Sequence, residues 1–121
     1  MRDIKNVNVC VIGGAGFIGS HLVDYLINDR NCNVIVLDNL ITGQTKNVNP
    51  NAKFIWFDIR DDENELVRIL KKHNIEYVFN YAAEPYIPEC FDRPMHFFDI
   101  NATSVLRVLN ACQIVGIKGL L

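Results

Sequence analysis

One glycine-dense run carries the clearest chemistry in this sequence. Val7-Asn8-Val9-Cys10-Val11-Ile12 leads straight into Gly13-Gly14-Ala15-Gly16-Phe17-Ile18-Gly19. An apolar strand, a glycine turn and then a helix leave unpaired backbone N–H groups at the positive end of that helix, where an anion such as a pyrophosphate binds. Side chains at the contact positions would block the approach, so glycine occupies them. The spacing predicts a tight turn at Gly13, close phosphate approach at Gly16 and helix–strand packing at Gly19. A second apolar run, Val34-Ile35-Val36-Leu37, ends in Asp38, 19 residues beyond Gly19. A carboxylate at that distance can accept hydrogen bonds from the hydroxyls of an adenine ribose and repels a 2′-phosphate, which favours NAD over its phosphorylated form. Arg2 and Lys5 lie outside the position a phosphate-binding cation would need. Asp58 closes a third apolar run and is a candidate for the adenine amino group, with Ile59 packing on the ring. Ala82 and Ala83 follow a fourth run and are small enough to let the chain pass close to a nicotinamide. Asp38 and Asp58 also read as ordinary turn residues, and the two alanines as packing.

The elements that position these residues alternate. Short, continuous, β-branched runs at 7–12, 33–37, 53–57 and 77–80 suit strands buried on both faces of a parallel sheet. Longer runs with helical spacing lie between them. Phe17–Asn28 places Ile18, Leu22, Tyr25 and Leu26 on one expected apolar face. Asp62–His73 groups Leu66, Ile69 and Leu70, and opens with Asp62 and Glu65 as a capping box. Pro94–Val115 starts on proline and stops before Gly116. Two segments, 40–51 and 84–94, read as loops. The pattern predicts an α/β fold, a Rossmann-type doubly wound parallel sheet in the order 3-2-1-4, with a fifth strand left incomplete near Leu121. No linker divides the chain, so residues 1–121 form one domain or part of one.

Composition narrows the classes. The 121 residues are 50% apolar and 21% charged, with net charge −2, which excludes disorder and disfavours nucleic acid as a partner. No apolar run approaches the roughly 20 residues of a membrane helix, and the first residues lack a secretory signal. Four scattered cysteines (Cys10, Cys32, Cys90, Cys112) read as reduced thiols of a cytoplasmic protein. His21, His73 and His96 read as surface or packing residues, and no metal site is expected.

Taken together, the sequence resembles the amino-terminal part of an extended short-chain dehydrogenase/reductase of the NAD-dependent epimerase/dehydratase family. The matching pieces are residues 13–19, Leu-Asp-Asn-Leu-Ile-Thr-Gly at 37–43, Asp-Ile-Arg-Asp at 58–61, Asn-Tyr-Ala-Ala-Glu-Pro-Tyr-Ile-Pro at 80–88, and Asn101 in the helix after Pro94. The stretch at 82–88 is most like UDP-glucose 4-epimerases. The resemblance implies that Phe17 and Ile18 offer amides to the pyrophosphate and that Asn39 and Leu40 join Asp38 around the adenosine. It also implies that Tyr81 to Ala83 line the nicotinamide ribose and that Asn101 is a buried asparagine near the cofactor. Glu84, Pro85 and Tyr86 fall where the family borders its nucleotide-sugar substrate.

Two departures stand out. Ile12 occupies the place of the family's threonine, losing a bond to the turn. The family's Ser/Thr and Tyr-x-x-x-Lys pair is missing, because Tyr25, Tyr77, Tyr81 and Tyr86 have no lysine four residues on. No catalytic residue is therefore assigned. The expectation is the NAD-binding portion of an enzyme acting on a UDP-sugar-like substrate by transient hydride transfer. As this chain alone it should lack turnover, bind NAD weakly and self-associate, because the fourth strand would be left without an outer neighbour and an exposed apolar edge invites association. The resemblance also implies a homodimer built on the helix after Pro94. The alternative is a non-catalytic NAD-binding or regulatory module.

Overall fold

The computed structural model describes residues 3–121; Met1 and Arg2, on which the readings of the first residues partly rest, lie outside them. The strands are β1 (Asn8–Ile12), β2 (Asn33–Asp38), β3 (Lys53–Trp56), β4 (Tyr77–Asn80) and β5 (Gly119–Leu120). They form one parallel sheet in the order β3-β2-β1-β4-β5. The central strands are buried on both faces, as their continuous Val/Ile runs require. The fifth strand is short but docked. It pairs Gly119 with Tyr77 and Leu120 with Val78, and Leu121 bonds to Val78 and Asn80 through its backbone. The expectation of an uncovered outer edge on β4 is therefore corrected.

The helices are α1 (Phe17–Asn28), α2 (Glu63–Lys72), α3 (Ile87–Asp92), α4 (Pro94–Phe98) and α5 (Ser104–Val115). Two cores sandwich the sheet. On one face Val9, Val11, Val34 and Val36 pack with Val23 and Leu26 of α1. On the other, Cys10, Ile12, Ile35, Leu37 and Val78 pack with Leu66, Ile69 and Leu70 of α2 and Val108 and Ala111 of α5. Cys112 joins that second core, and its burial pushes the thiol up to about 11, so it stays protonated and inert.

Four local readings are revised. The buried face of α1 is Gly19, Ser20, Val23 and Leu26, whereas Ile18 and Tyr25 are exposed. The small residues at 19 and 20 let the helix sit down on the strand–turn, and that outweighs side-chain bulk. The capping box before α2 is half formed. Asp62 accepts from the Asn64 amide at 2.9 Å, but the Glu65 side chain pairs with Arg68 instead. The segment 84–94 is only partly a loop, since Pro88 sits in the first turn of α3 and Pro94 opens α4. The helix from Pro94 is also discontinuous. A π-helical turn at Asp99–Thr103 joins α4 to α5, and Ser104 Oγ donates to the Ile100 carbonyl across it. The stop is as expected, with Gly116 left-handed at φ 79°.

Candidate cofactor site

The carboxyl ends of β1, β2, β3 and β4 face an open cleft of about 570 Å³, counting the solvent at its mouth. Its floor is the glycine turn. Gly13 has φ +78°, and a methyl there would lie 2.6 Å from the Ala82 nitrogen. A methyl at Gly19 would lie 2.2 Å from the Gly13 carbonyl oxygen, so helix and turn touch backbone to backbone. Gly16 differs, because a methyl there would meet only the Gly13 oxygen at 3.4 Å. Nothing among the described residues demands glycine at Gly16, and its open side belongs to the cleft. The amides of Phe17, Ile18 and Gly19 meet no acceptor among the described residues. Three donors at the start of a 12-residue helix therefore remain available to an anion, although the side chains of Phe17 and Ile18 point into solvent.

Asp38 is 7% exposed and turned toward that floor. Its Oδ2 accepts from the Ala15 amide at 2.9 Å and its Oδ1 from the Leu40 amide at 2.8 Å. An ionised carboxylate offers about four acceptor sites, so two bonds leave capacity for ligand hydroxyls. The bond to Leu40 holds that residue at φ 62°, a left-handed conformation costly for a branched side chain. The loop beyond folds back on the turn, for the Gln44 amide and the Asn47 side chain both donate to the Ala15 carbonyl. Ala15 is thus pinned at its nitrogen by β2 and at its oxygen by the polar loop.

The second wall is the segment after β3. Asp58, also 7% exposed, is held by the Arg60 fork at 3.0 and 2.8 Å and by the Asn39 amide at 3.0 Å. The Arg60 side chain, first, and the Arg60 and Asn39 N–H donors hold its carboxyl well below the usual carboxylate range, against the opposing effect of burial. Trp56 reaches the same corner, donating from Nε1 to the Asn39 carbonyl at 3.1 Å.

The third wall follows β4. Tyr81, Ala82, Ala83 and Glu84 line it. Asn101 lies on the π-helical turn and is exposed, so the expectation of a buried asparagine is corrected. Its side chain reaches out of the helix to the Glu84 backbone, accepting from its amide and donating to its carbonyl, both at 2.9 Å.

Of the residues singled out in the sequence, the fold brings Gly13, Gly16, Asp38, Asn39, Asp58, Ile59, Tyr81, Ala82, Ala83 and Glu84 to one cleft. Leu40 and Asn101 sit behind it as supports. Pro85 and Tyr86 do not line it; both are exposed and lead into α3. Sequence reasoning missed Ile41, Thr42, Phe57 and Ile100, which also line the cleft. Ile41 and Thr42 stand inside the family-like stretch 37–43, and that was their available signal. It also missed Arg60 and His96. Arg60 was legible only as the neighbour of Asp58, and His96 carried no sequence signal.

Residues 9–121 match the NAD dependent epimerase/dehydratase family. The chain belongs to that family. It is similar to the UDP-glucose 4-epimerase of Lactobacillus helveticus, at 40% identity over 112 residues, covering 93% of this chain and 33% of that protein. Among solved structures it resembles the UDP-glucose 4-epimerase of Thermotoga maritima with UDP-glucose, at TM-score 0.87 and 40% identity, covering 93% of this chain and 36% of that one. It also resembles the Thermus thermophilus enzyme in complex with NAD, at TM-score 0.86 and 36% identity, covering 93% and 36%. The chain thus spans about a third of the length of these relatives.

Proposed function

We propose that this chain is the amino-terminal, NAD-binding portion of a nucleotide-sugar epimerase or dehydratase. The observation that carries the reading is that the free amides of Phe17, Ile18 and Gly19 follow directly on Gly16, which lines one cleft with the Asp38 carboxylate. Those amides would hold the pyrophosphate. Asp38, with Asn39 and Leu40, would take the adenosine ribose, and Asp58 and Ile59 the adenine. Tyr81 to Ala83, with Asn101 behind them, would line the nicotinamide ribose. NAD bound there supplies hydride acceptance and return. Asp38 repels a 2′-phosphate, and the described residues that line the cleft include no cation to offset it.

Substrate chemistry comes from the relatives: UDP-glucose, bound by the Thermotoga maritima enzyme, represents the UDP-sugar class proposed here. Glu84 is the substrate-side residue best placed, with Pro85 and Tyr86 further out. The chain of 121 residues carries no Tyr-x-x-x-Lys, so we assign it cofactor binding and no proton transfer. A homodimer fits the exposed apolar side chains of α4 and α5, Met95, Phe98, Leu106 and Leu109. A cytoplasmic location fits the four free cysteines. Among the described residues no helix is long and apolar enough to cross a membrane.

The test is a titration with NAD and NADP, read by calorimetry and by emission of Trp56, the single tryptophan. Saturable NAD binding with NADP at least tenfold weaker is expected. Equal binding of both, or of neither, overturns the cofactor reading. In parallel, the purified chain is expected to convert no UDP-glucose or UDP-galactose, and measurable turnover overturns the assignment of binding alone.

A further inference from the structure

We propose that His96 is a positioning residue for the cofactor, acting with Arg60 as a brace between the two walls of the cleft. The inference rests on the NAD reading above and adds a part that reading does not contain. Asp58 and Glu84 line the cleft from opposite walls, whereas Arg60 and His96 do not line it. They stand behind and join the two carboxylates. Arg60 holds Asp58 with its fork and turns its remaining nitrogen to His96 Nδ1 at 3.3 Å. His96 Nε2 reaches Glu84 Oε2 at 2.9 Å. The side chains of Glu84 and His96 are only 16% and 23% exposed.

The chemistry of the chain is directional. A guanidinium only donates and a carboxylate only accepts. His96 Nδ1 must therefore accept from Arg60, and the ring proton must sit on Nε2 and be donated to Glu84. A single neutral tautomer satisfies both neighbours. The Glu84 backbone is fixed in turn by Asn101, so the brace runs unbroken from the adenine wall to the π-helical turn. Asp99 lends Arg60 a further favourable charge and is itself paired with Arg107. Glu84 and Asp58 also attract Arg60 through their charge, but without His96 no hydrogen bond among the described contacts links Glu84 to Arg60, and the wall after β4 is held less firmly to the wall after β3.

The test compares the 121-residue chain with its His96→Leu and His96→Gln variants. Glutamine can accept at its oxygen and donate from its nitrogen, preserving the brace without an imidazole. The ring nitrogens of His96 in the parent chain, read by 15N NMR, are expected to show the Nε2–H tautomer. His96→Leu is expected to weaken NAD about tenfold, and His96→Gln to stay within about twofold of the parent, with melting midpoints recorded for all three. An Nδ1–H tautomer, a leucine variant that binds like the parent, or equal losses in both variants would overturn the brace while leaving the NAD reading standing. Failure of the parent chain to bind NAD overturns that reading, and the role proposed for the brace falls with it.

Discussion

The glycine floor and the outer helical layer are built on opposite principles. Around Gly13, Ala15 and Asp38 nearly every polar group except the helix-start amides has a partner, and the contacts are backbone on backbone. Across α3, α4 and α5 the reverse holds: Phe91, Met95, Phe98, Leu106 and Leu109 are all more than half exposed. Large apolar side chains exposed together are the kind of surface that association covers. One region closes its backbone and polar contacts on itself. The other leaves its apolar side chains open to solvent, and substitutions should separate the two sharply.

The largest effect is expected at Gly19. A Cβ there meets the Gly13 oxygen at 2.2 Å and the Gly14 Cα at 2.9 Å, and backbone cannot give way. Gly19→Ala should cost about 3 kcal/mol or more, a large part of the stability of a domain this size. It should also abolish NAD binding, since α1 would lift from the turn. Chemical denaturation with parallel NAD titration checks both. A stable Gly19→Ala protein would show that the floor is as yielding as the outer layer. Asp38→Asn comes next. An asparagine can present oxygen to only one of the Ala15 and Leu40 amides and must turn N–H groups on the other. A loss of about 1–3 kcal/mol is expected, with NAD affinity down more than tenfold by calorimetry.

The difference between the regions also explains what the sequence revealed. Strands β1, β2 and β4 and the helices α1 and α2 were legible because each is a continuous run with one period, bounded by Gly, Asp or Asn. The place of Asp38 in the cleft was legible because it sits at the end of a strand whose register is fixed against β1. The outer layer was not legible in the same way. Its form is decided by side-chain contacts that no motif announces, as when Asn101 on the π-helical turn binds the Glu84 backbone. Proline at 88 and 94 looked like loop punctuation because its alternative use, opening a helix, depends on the residues after it. His96 is invisible for the same reason, since its partners Arg60 and Glu84 lie 36 and 12 residues away.

A pH effect should report on the boundary between the two regions. Arg60 depresses the Asp58 carboxyl in the folded state, so the pair contributes stability above the ordinary carboxylate range near pH 4 and loses it as pH falls through the lower folded value. Asp58→Asn should remove that contribution at neutral pH, about 1.5–3 kcal/mol for a charge-assisted bond. It should also flatten the acid limb of the stability curve below about pH 4. Urea denaturation from pH 7 down to pH 3 gives both numbers. An unchanged acid limb in the variant would mean the wall after β3 owes its form to packing alone, like the outer layer.

The smallest effect on stability is expected where the exposed apolar area is greatest. Leu106 is 65% exposed on α5, beside Leu109 at 53%, and the described chain places nothing over them. Leu106→Glu should change the unfolding free energy of the isolated chain by less than about 0.5 kcal/mol, as surface substitutions do. Its consequence should lie in association, because a charge at the centre of an apolar face opposes burial of that face against a second copy. Sedimentation over a range of concentrations should find the parent chain self-associating and Leu106→Glu monomeric, with NAD affinity equal in both. If the variant instead unfolds, Leu106 belongs to the core and the outer layer is as self-contained as the glycine floor. If it associates as the parent does, the covering partner sits elsewhere, and the apolar side chains of α3 and α4 become the face to substitute next.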